Sequence, residues 1–431
     1  MAKRPFRPLQ KLLTPAKSVA RLQARLLELA ADFRAALAKG DYATGRTLAE
    51  QALHETPSNM AILSDYALCL MRTGEREQAY QVYMRIYNSP PDRQKQASST
   101  WLDGLAEVCG WLDKRDELRK FGNESLTRAD AAFRNGRQWP LPDGSPPAFE
   151  PARPEQNVIS YSLFGADPRY CESAVANIHA AAELFSGWTC RIYLDDSVPL
   201  HVQQRLRDGG ADLVQMKRDA GDAIPPVMWR FLVMEDPDVS RFLIRDADAL
   251  LSEREVPAVQ QWLESDRWFH HMRDYFTHTE LMLAGMWGGC TGVFPDIATL
   301  IRQYVHDYTG PARFVDQYFL RTTFWPTVRN SVLSHDELFD FHGALVFPSH
   351  PPIRWRTAKF HVGSNASFQR ITGQSGLPDG ATESVQLSRG EAGPWTYPAI
   401  VRGGQWELNL PFFLVDELSE GRLRVECGGG R

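Results

Sequence analysis

The sequence predicts an all-α repeat region followed by an α/β region, and three observations carry that expectation. Glycine and proline recur 34 residues apart early in the chain (Gly40 and Gly74, Pro57 and Pro91). A proline-rich stretch then interrupts the helical pattern. Beyond it, apolar runs of strand length alternate with helical stretches, the pattern of a mostly parallel sheet covered by helices. A chain of 431 residues has room for two or three domains. Its formal net charge of −5 gives no overall nucleic-acid footprint. The six cysteines show no CxxC spacing and read as reduced thiols, so a cytoplasmic protein is expected.

The first segment, 1–19, reads as a basic arm. Between Met1 and Leu27 there are seven basic residues and no acidic one. Two uses stay open: contact with a membrane surface or another anionic partner, and a solvated terminus. The basic start is not followed by the apolar core of a secretory signal. No run is long enough to span a membrane, and the longest weakly polar stretch, Leu281 to Pro295, is short and rich in glycine. Peripheral contact with the inner face of a membrane is the most that the arm offers.

Residues 20–135 form the expected repeat region. In the second copy Leu63, Tyr66, Ala67 and Leu70 make one packing face and Gly74 the turn. Ala79, Tyr83 and Ile86 make the next face, and Pro91 the stop. The first copy keeps Gly40-Asp41-Tyr42, Gly45, Ala49, Ala52 and Pro57, with Asp32 and Phe33 out of pattern in its leading helix. The small residues let paired helices approach closely where they cross. This stretch resembles the tetratricopeptide repeat family. Trp101, Leu102, Leu105, Val108, Leu112 and Leu118 continue the helical pattern without the signature, as a third, degenerate pair capping the stack. The resemblance implies either a groove for a protein partner or acceptor, or a surface for scaffolding and self-association.

Residues 136–156, with six prolines, are expected to be a linker and domain boundary. In the α/β region, 157–370, a strand from Val158 ends at Phe164-Gly165 and a helix follows from Tyr170 to Leu184. Next come a strand Cys190 to Leu194, a helix Leu200 to Asp208, a strand Asp212 to Met216 and a helix around Met228 to Glu235. The run Phe242 to Ile244 then reads as a buried strand stopping at Asp246-Ala247-Asp248. In extended chain an i, i+2 spacing puts both carboxylates on one side, where two like charges need a cation between them. Their oxygen donors suit Mg²⁺ or Mn²⁺; an acidic turn is the alternative. Ligands in such sheets collect at the carboxyl ends of the strands.

A strand opening an α/β domain, Arg230 on a helix, Asp246-x-Asp248, a glycine-rich strand over Gly288 to Phe294, Asp316-Gln317, and a late Phe360-His361-x-Gly363 come in an order that resembles the GT-A glycosyltransferases. Within them the order is most similar to the retaining, glycogenin-like sugar transferases. The resemblance implies an enzyme with a metal, Mn²⁺ or Mg²⁺, on Asp246, Asp248 and His361. It places a nucleotide-sugar donor, UDP-linked, against Phe164, Gly165, Arg230, Asp246 and Lys359, and Asp316 and Gln317 beside the reacting sugar. The sequence departs from the family after His361, where one residue rather than two precedes the glycine and the usual Lys-Pro-Trp is missing. Lys359 or backbone amides would replace that lysine, and a structural role for His361 stays open.

The stretch Trp268 to His278 holds three histidines whose spacing fits no standard zinc set. It reads as a loop over the site that supplies Arg273, Asp274 or His278 to substrate, or as a surface loop. After Gln369 the chain turns rich in glycine and serine. Short strand-like runs, Trp406 to Leu410, Phe412 to Val415 and Arg422 to Glu426, make 371–431 a β-rich extension without an assigned role. The expected function is metal-dependent transfer of a sugar, with retention, to a glycan, lipid-linked glycan or protein. The rival is an interaction scaffold in which the repeats act and the α/β domain is catalytically silent.

Overall fold

The computed structural model describes residues 15–218, 224–357, 360–390 and 392–427. Contacts divide the chain into two units, meeting between Ser125 and Leu126. Residues 1–14 of the basic arm lie outside the described residues, and the first helix already begins at Pro15.

The first unit is a stack of helices: α1 (Pro15–Ala38), α2 (Tyr42–Glu55), α3 (Met60–Arg72), α4 (Arg76–Tyr87), a single turn α5 (Pro91–Gln94), α6 (Trp101–Trp111) and the start of α7 (Arg115–Phe133). Gly40 and Gly74 close the first two pairs in the left-handed region, with φ of 72° and 95°. The third pair, α6 and α7, turns at Asp113 with φ of 53°. An aspartate there tolerates the conformation while erasing the glycine signature. A Cβ on Gly45 would meet Leu37 at 3.0 Å and Cys69 Sγ at 3.1 Å, the close helix approach expected of the small residues.

The second unit is built on a seven-stranded sheet. Its elements are β1 (Asn157–Leu163), α8 (Pro168–Leu184), β2 (Thr189–Leu194), α9 (Leu200–Asp208), β3 (Asp212–Gln215), a 3-10 helix (Pro226–Glu235), β4 (Arg241–Arg245), α10 (Glu255–Leu263), β5 (Phe269–Arg273), β6 (Met286–Cys290), α11 (Ile297–Asp307), α12 (Val315–Phe319), α13 (Trp325–Val328) and β7 (Val332–Asp336). The strand order is β3-β2-β1-β4-β6-β5-β7. The first four strands are parallel, β6 runs antiparallel between β4 and β5, and β7 is parallel to β5.

Several expectations change here. The glycine-rich strand starts at Met286 and ends at Cys290, with bends over 291–295. Its glycines are steric: a Cβ on Gly288 would lie 2.6 Å from Phe242 O, and one on Gly289 2.6 Å from Phe269 Cδ1. The helix carrying Arg230 is 3-10, beginning at Pro226. His270, His271 and Arg273 sit on β5, which is buried throughout, so only the residues after it form a loop. The proline-rich 136–156 is irregular as far as Arg153, ends in a 3-10 turn over Pro154–Gln156, and is packed rather than free. Trp139 N donates to Thr327 Oγ1 (3.0 Å), Arg241 Nε donates to Pro147 O (3.0 Å), and Phe149 stacks on Trp188.

A second, antiparallel sheet contains β8 (Phe368–Gln374), β9 (Thr382–Arg389), β10 (Ala392–Arg402), β11 (Gln405–Pro411) and β12 (Leu423–Cys427), in the order β12-β9-β10-β11-β8. The residues from Phe412, expected as a strand, begin α14 (Phe412–Ser419) directly after Pro411. Proline ends the ladder because it has no N–H to donate. This sheet packs on α8: Tyr397 Oη donates to Glu172 Oε1 (2.6 Å), and Asn409 Nδ2 donates to Asp167 Oδ2 (3.0 Å). Among the described residues no helix is long and apolar enough to cross a membrane.

Candidate functional site

β4 is flanked by β1 and β6, and its buried run ends where the backbone turns at Asp246. Three devices hold this turn. Ala249 N donates to Asp246 O (3.1 Å), closing it locally. The buried Asn177 of α8 donates to Ala247 O (3.2 Å) and Ala249 O (2.9 Å) and accepts from Leu251 N (2.9 Å). From the far end of the domain, Ala366 N donates to Asp248 O (2.6 Å) and Asn365 pairs with Ala249.

The carboxylates are held separately. Arg230, almost wholly buried, donates from Nη1 to Asp246 Oδ1 and from Nη2 to Asp316 Oδ2 (2.8 Å). Burial works against the charged guanidinium, yet its two carboxylate partners hold it above its ordinary range. Ser162 Oγ accepts from Arg230 N (2.9 Å) and Ser160 Oγ donates to Arg230 O (2.7 Å), mooring the 3-10 helix to β1. Arg169, at the start of α8, donates to Asp248 Oδ2 (2.6 Å). Burial raises Asp248, as it raises Asp316.

Both aspartates open on a cavity of about 660 Å³, also lined by Tyr275, Thr277, His278, Thr357, His361, Gly363, Ser364, Asn365 and Ser367. That size suits a small-molecule ligand. His361 stacks flat on Tyr275, with centroids 3.8 Å apart and planes 2° apart, and meets His278 edge-on. Burial, with His361 and Arg273 nearby, holds His278 well below its ordinary value, so it is neutral. The side chain of Asp274 is buried, accepts from Arg254 Nε (2.9 Å) and Val362 N (3.0 Å), and is raised by burial to about 6.

The loop between β5 and β6, which contributes Tyr275, Thr277 and His278 to the lining, is itself braced. Leu283 N donates to His271 Nε2 (2.9 Å), which fits a histidine that burial keeps neutral. Gln317 accepts from Ala284 N (3.1 Å) and donates to Met282 O (2.9 Å). The loop ends at Gly285, where a Cβ would lie 2.5 Å from Asp246 Cγ.

The structure therefore brings Asp246, Asp248, His278 and His361 to one cavity, with Asp274 tied to the Val362 backbone beside it. Four residues with expected roles are engaged within the fold. Arg230 donates from both terminal nitrogens to carboxylates. Asp316 is Arg230's second partner and also accepts from Gln317 N (2.8 Å). Gln317 has both amide atoms engaged by the loop backbone. Arg273 is buried in an ion pair with Asp336 (3.6 Å). Phe164 and Gly165 do stand at the carboxyl end of β1: Phe164 is exposed, Gly165 has φ of 79°, and its N–H donates to Ser197 Oγ (2.6 Å). Lys359 lies outside the described residues. Asn177 and Arg169 escaped sequence reasoning, and neither left a local signal.

The donor set fits a hard divalent ion in part. Two carboxylates face one cavity and Asp246 keeps 41% of its side chain exposed. Mg²⁺ and Mn²⁺ are commonly held by one or two carboxylates plus phosphate oxygens and water. Among the described residues no three His, Cys, Asp or Glu side chains form a complete cage.

Residues 36–99 match the Tetratricopeptide repeat family. These residues are tetratricopeptide repeats. They include α2, α3 and α4, so the first unit carries the repeat that the glycine and proline spacing announced. No curated protein matches the chain. Three of the structures that the chain is similar to are sugar-transferring enzymes by name. A mutant of the O-GlcNAc transferase of Thermobaculum terrenum shares 16% identity over 52% of this chain at a TM-score of 0.26; the match spans 46%, under half, of that protein. Glucosyl-3-phosphoglycerate synthase from Mycobacterium tuberculosis, in complex with phosphoglyceric acid, shares 12% over 50% of this chain and 80% of that one, at 0.28. A mannosyltransferase from Pyrobaculum calidifontis, in complex with GDP-Man and Mn²⁺, shares 13% over 52% and 83%, at 0.26.

Proposed function

We propose that the protein is a divalent-metal-dependent glycosyltransferase that takes a sugar from a nucleotide-sugar donor, UDP-linked, and moves it with retention to a glycan, lipid-linked glycan or protein. The observation that carries this reading is the pair Asp246 and Asp248, delivered by a buried parallel strand to a cavity of about 660 Å³. Asp246 and Asp248 would hold Mn²⁺ or Mg²⁺, with His361 as the third protein ligand once its ring leaves Tyr275. Such an ion stabilises the negative charge that a departing nucleoside diphosphate builds up. The chain's own groups prepare this. Arg230 fixes Asp246 from below, Asn177 fixes the turn, and the loop held by His271 and Gln317 closes one wall. Phe164 and Gly165, at the end of β1, offer a face and a backbone for the nucleotide.

A retaining transfer needs no enzyme base matched to the acceptor hydroxyl when the leaving phosphate takes its proton. Neutral His278 then serves as a hydrogen-bonding wall of the acceptor side. The repeats would recruit the acceptor or a protein partner. The deciding experiment is calorimetry of UDP with Mn²⁺ on the wild type and Asp246→Ala, followed by hydrolysis of a panel of UDP-, GDP- and CMP-sugars. Loss of Mn²⁺-dependent binding in the variant, with turnover of one donor by the wild type, is expected. Equal affinity in both proteins would overturn the reading. The anomeric configuration of the product, by proton NMR, tests retention.

A further inference from the structure

No arginine or lysine is among the described residues lining the cavity, and Arg230 is consumed beneath it. One further guanidinium reaches the carboxylates. Arg169 Nη2 lies 2.6 Å from Asp248 Oδ2, with both side chains largely buried. Its planar group lies over the Phe368 ring at 4.5 Å and the Tyr170 ring at 4.9 Å, while its Nε is buried without a hydrogen-bond partner. The backbone that carries it is fixed: Asp167 accepts from Arg169 N (2.9 Å) and, through its other oxygen, from Asn409 of β11. Phe368 is the first residue of β8. The C-terminal sheet thus supplies both a contact for the helix start and an aromatic face for the guanidinium.

We propose that Arg169 is the cation that positions the donor's diphosphate, and that the ion pair with Asp248 is its resting place. This rests on the metal-dependent donor site proposed above. The argument is one of charge. Asp248 cannot serve fully as a metal ligand while a guanidinium occupies one of its oxygens, and Arg169 cannot leave a largely buried carboxylate unless another cation replaces it. Once replaced, the guanidinium needs an anion, and a diphosphate beside the two aspartates offers the oxygen pair that arginine's fork matches. The aromatic faces of Phe368 and Tyr170 would keep the guanidinium at the cavity edge. In this account the C-terminal extension helps to hold a donor-binding residue.

The test is calorimetry on full-length wild type, Arg169→Met and Phe368→Ala, with circular dichroism to verify folding. Each protein is titrated with Mn²⁺ alone and then with UDP at saturating Mn²⁺. Arg169→Met should bind Mn²⁺ alone more tightly, because its competitor for Asp248 is gone, and should bind UDP about tenfold or more weakly, the usual scale of one charge-assisted hydrogen bond. Phe368→Ala, which loosens the guanidinium without removing a charge, should tighten Mn²⁺ binding by less. Should Arg169→Met fail to fold, unchanged Mn²⁺ affinity in Phe368→Ala overturns the proposal. So does a folded Arg169→Met with wild-type affinity for Mn²⁺ or for UDP. If the wild type itself shows no Mn²⁺-dependent UDP binding, the donor-site reading falls with it; if the wild type binds and the variants match it, only the role of Arg169 falls.

Discussion

Asp246 occupies the space that a side chain at position 285 would fill, since a Cβ there would lie 2.5 Å from Asp246 Cγ. Neither rigid backbone can retreat cheaply, because Asp246 is gripped by Arg230 and the loop before Gly285 by His271 and Gln317. Gly285→Ala should therefore displace the carboxylate although it removes no ligand atom. The expected outcome is at least a tenfold loss of Mn²⁺-dependent UDP affinity by calorimetry, on the scale of one misplaced charged contact. The circular dichroism spectrum should stay unchanged.

Asn177 satisfies two carbonyls and one N–H of the Asp246 turn from within the core. Truncation leaves those groups buried and unpaired. Asn177→Ala should lower stability by roughly 2–4 kcal/mol, read as a fall in the denaturation midpoint of the second unit. Saturating Mn²⁺ and UDP should recover part of that loss, because ligands that bind only the ordered turn stabilise it by mass action.

Gln317 braces the loop through both atoms of its amide. Gln317→Ala removes two backbone partners, at Ala284 N and Met282 O, and should cost about 1–3 kcal/mol of stability. In steady-state assays its KM for donor should rise at least as much as kcat falls, because the loop forms a wall of the binding cavity. A pure kcat defect with unchanged KM and stability would place the amide at the reacting sugar instead.

Asp65 supplies a pH test in the first unit. Its carboxylate lines an apolar pocket with Leu29, Phe33 and Leu37, and burial raises it from 3.8 to about 6. Within that window the folded chain holds a proton that the unfolded chain has released, so stability is lost as pH rises towards and through 6. Asp65→Asn should match the wild type near pH 3.5 and exceed it near pH 7.5 by at most about 3 kcal/mol, the free energy of a proton affinity raised roughly a hundredfold by folding. Thermal midpoints of the first unit at the two pH values measure this. A stabilisation that is equal at both would contradict it.

Much of the architecture was legible because it rests on local rules. The 34-residue recurrence of Gly40 and Gly74 marks positions that need a left-handed backbone, and both adopt it. The third turn was harder to read because Asp113 takes the same conformation without being glycine. Strands β1, β2 and β4 announced themselves as apolar runs. The stretch from His270 to Arg273 did not, since its histidines and arginine look like surface residues until the neighbours that bury them are known. The β9 and β10 strands went unread for a related reason: β9 alternates buried apolar and polar residues, and a glycine- and serine-rich approach masks that period.

By itself the sequence determined the helical repeat, the alternating α/β order and the acidic pair at the end of a buried strand. Each of these depends on residue spacing along one backbone. Only tertiary structure decided what each polar residue does. Arg230 and Gln317 carry the right groups for ligand contact, yet folding spends those groups on Asp246, Asp316, Met282 and Ala284. Asn177 and Arg169 look like ordinary helix residues, yet folding brings them to Ala247, Ala249 and Asp248, some 70 to 79 residues away. The physical reason is that burying a polar group demands a partner, and spacing in sequence does not say which distant group will supply it.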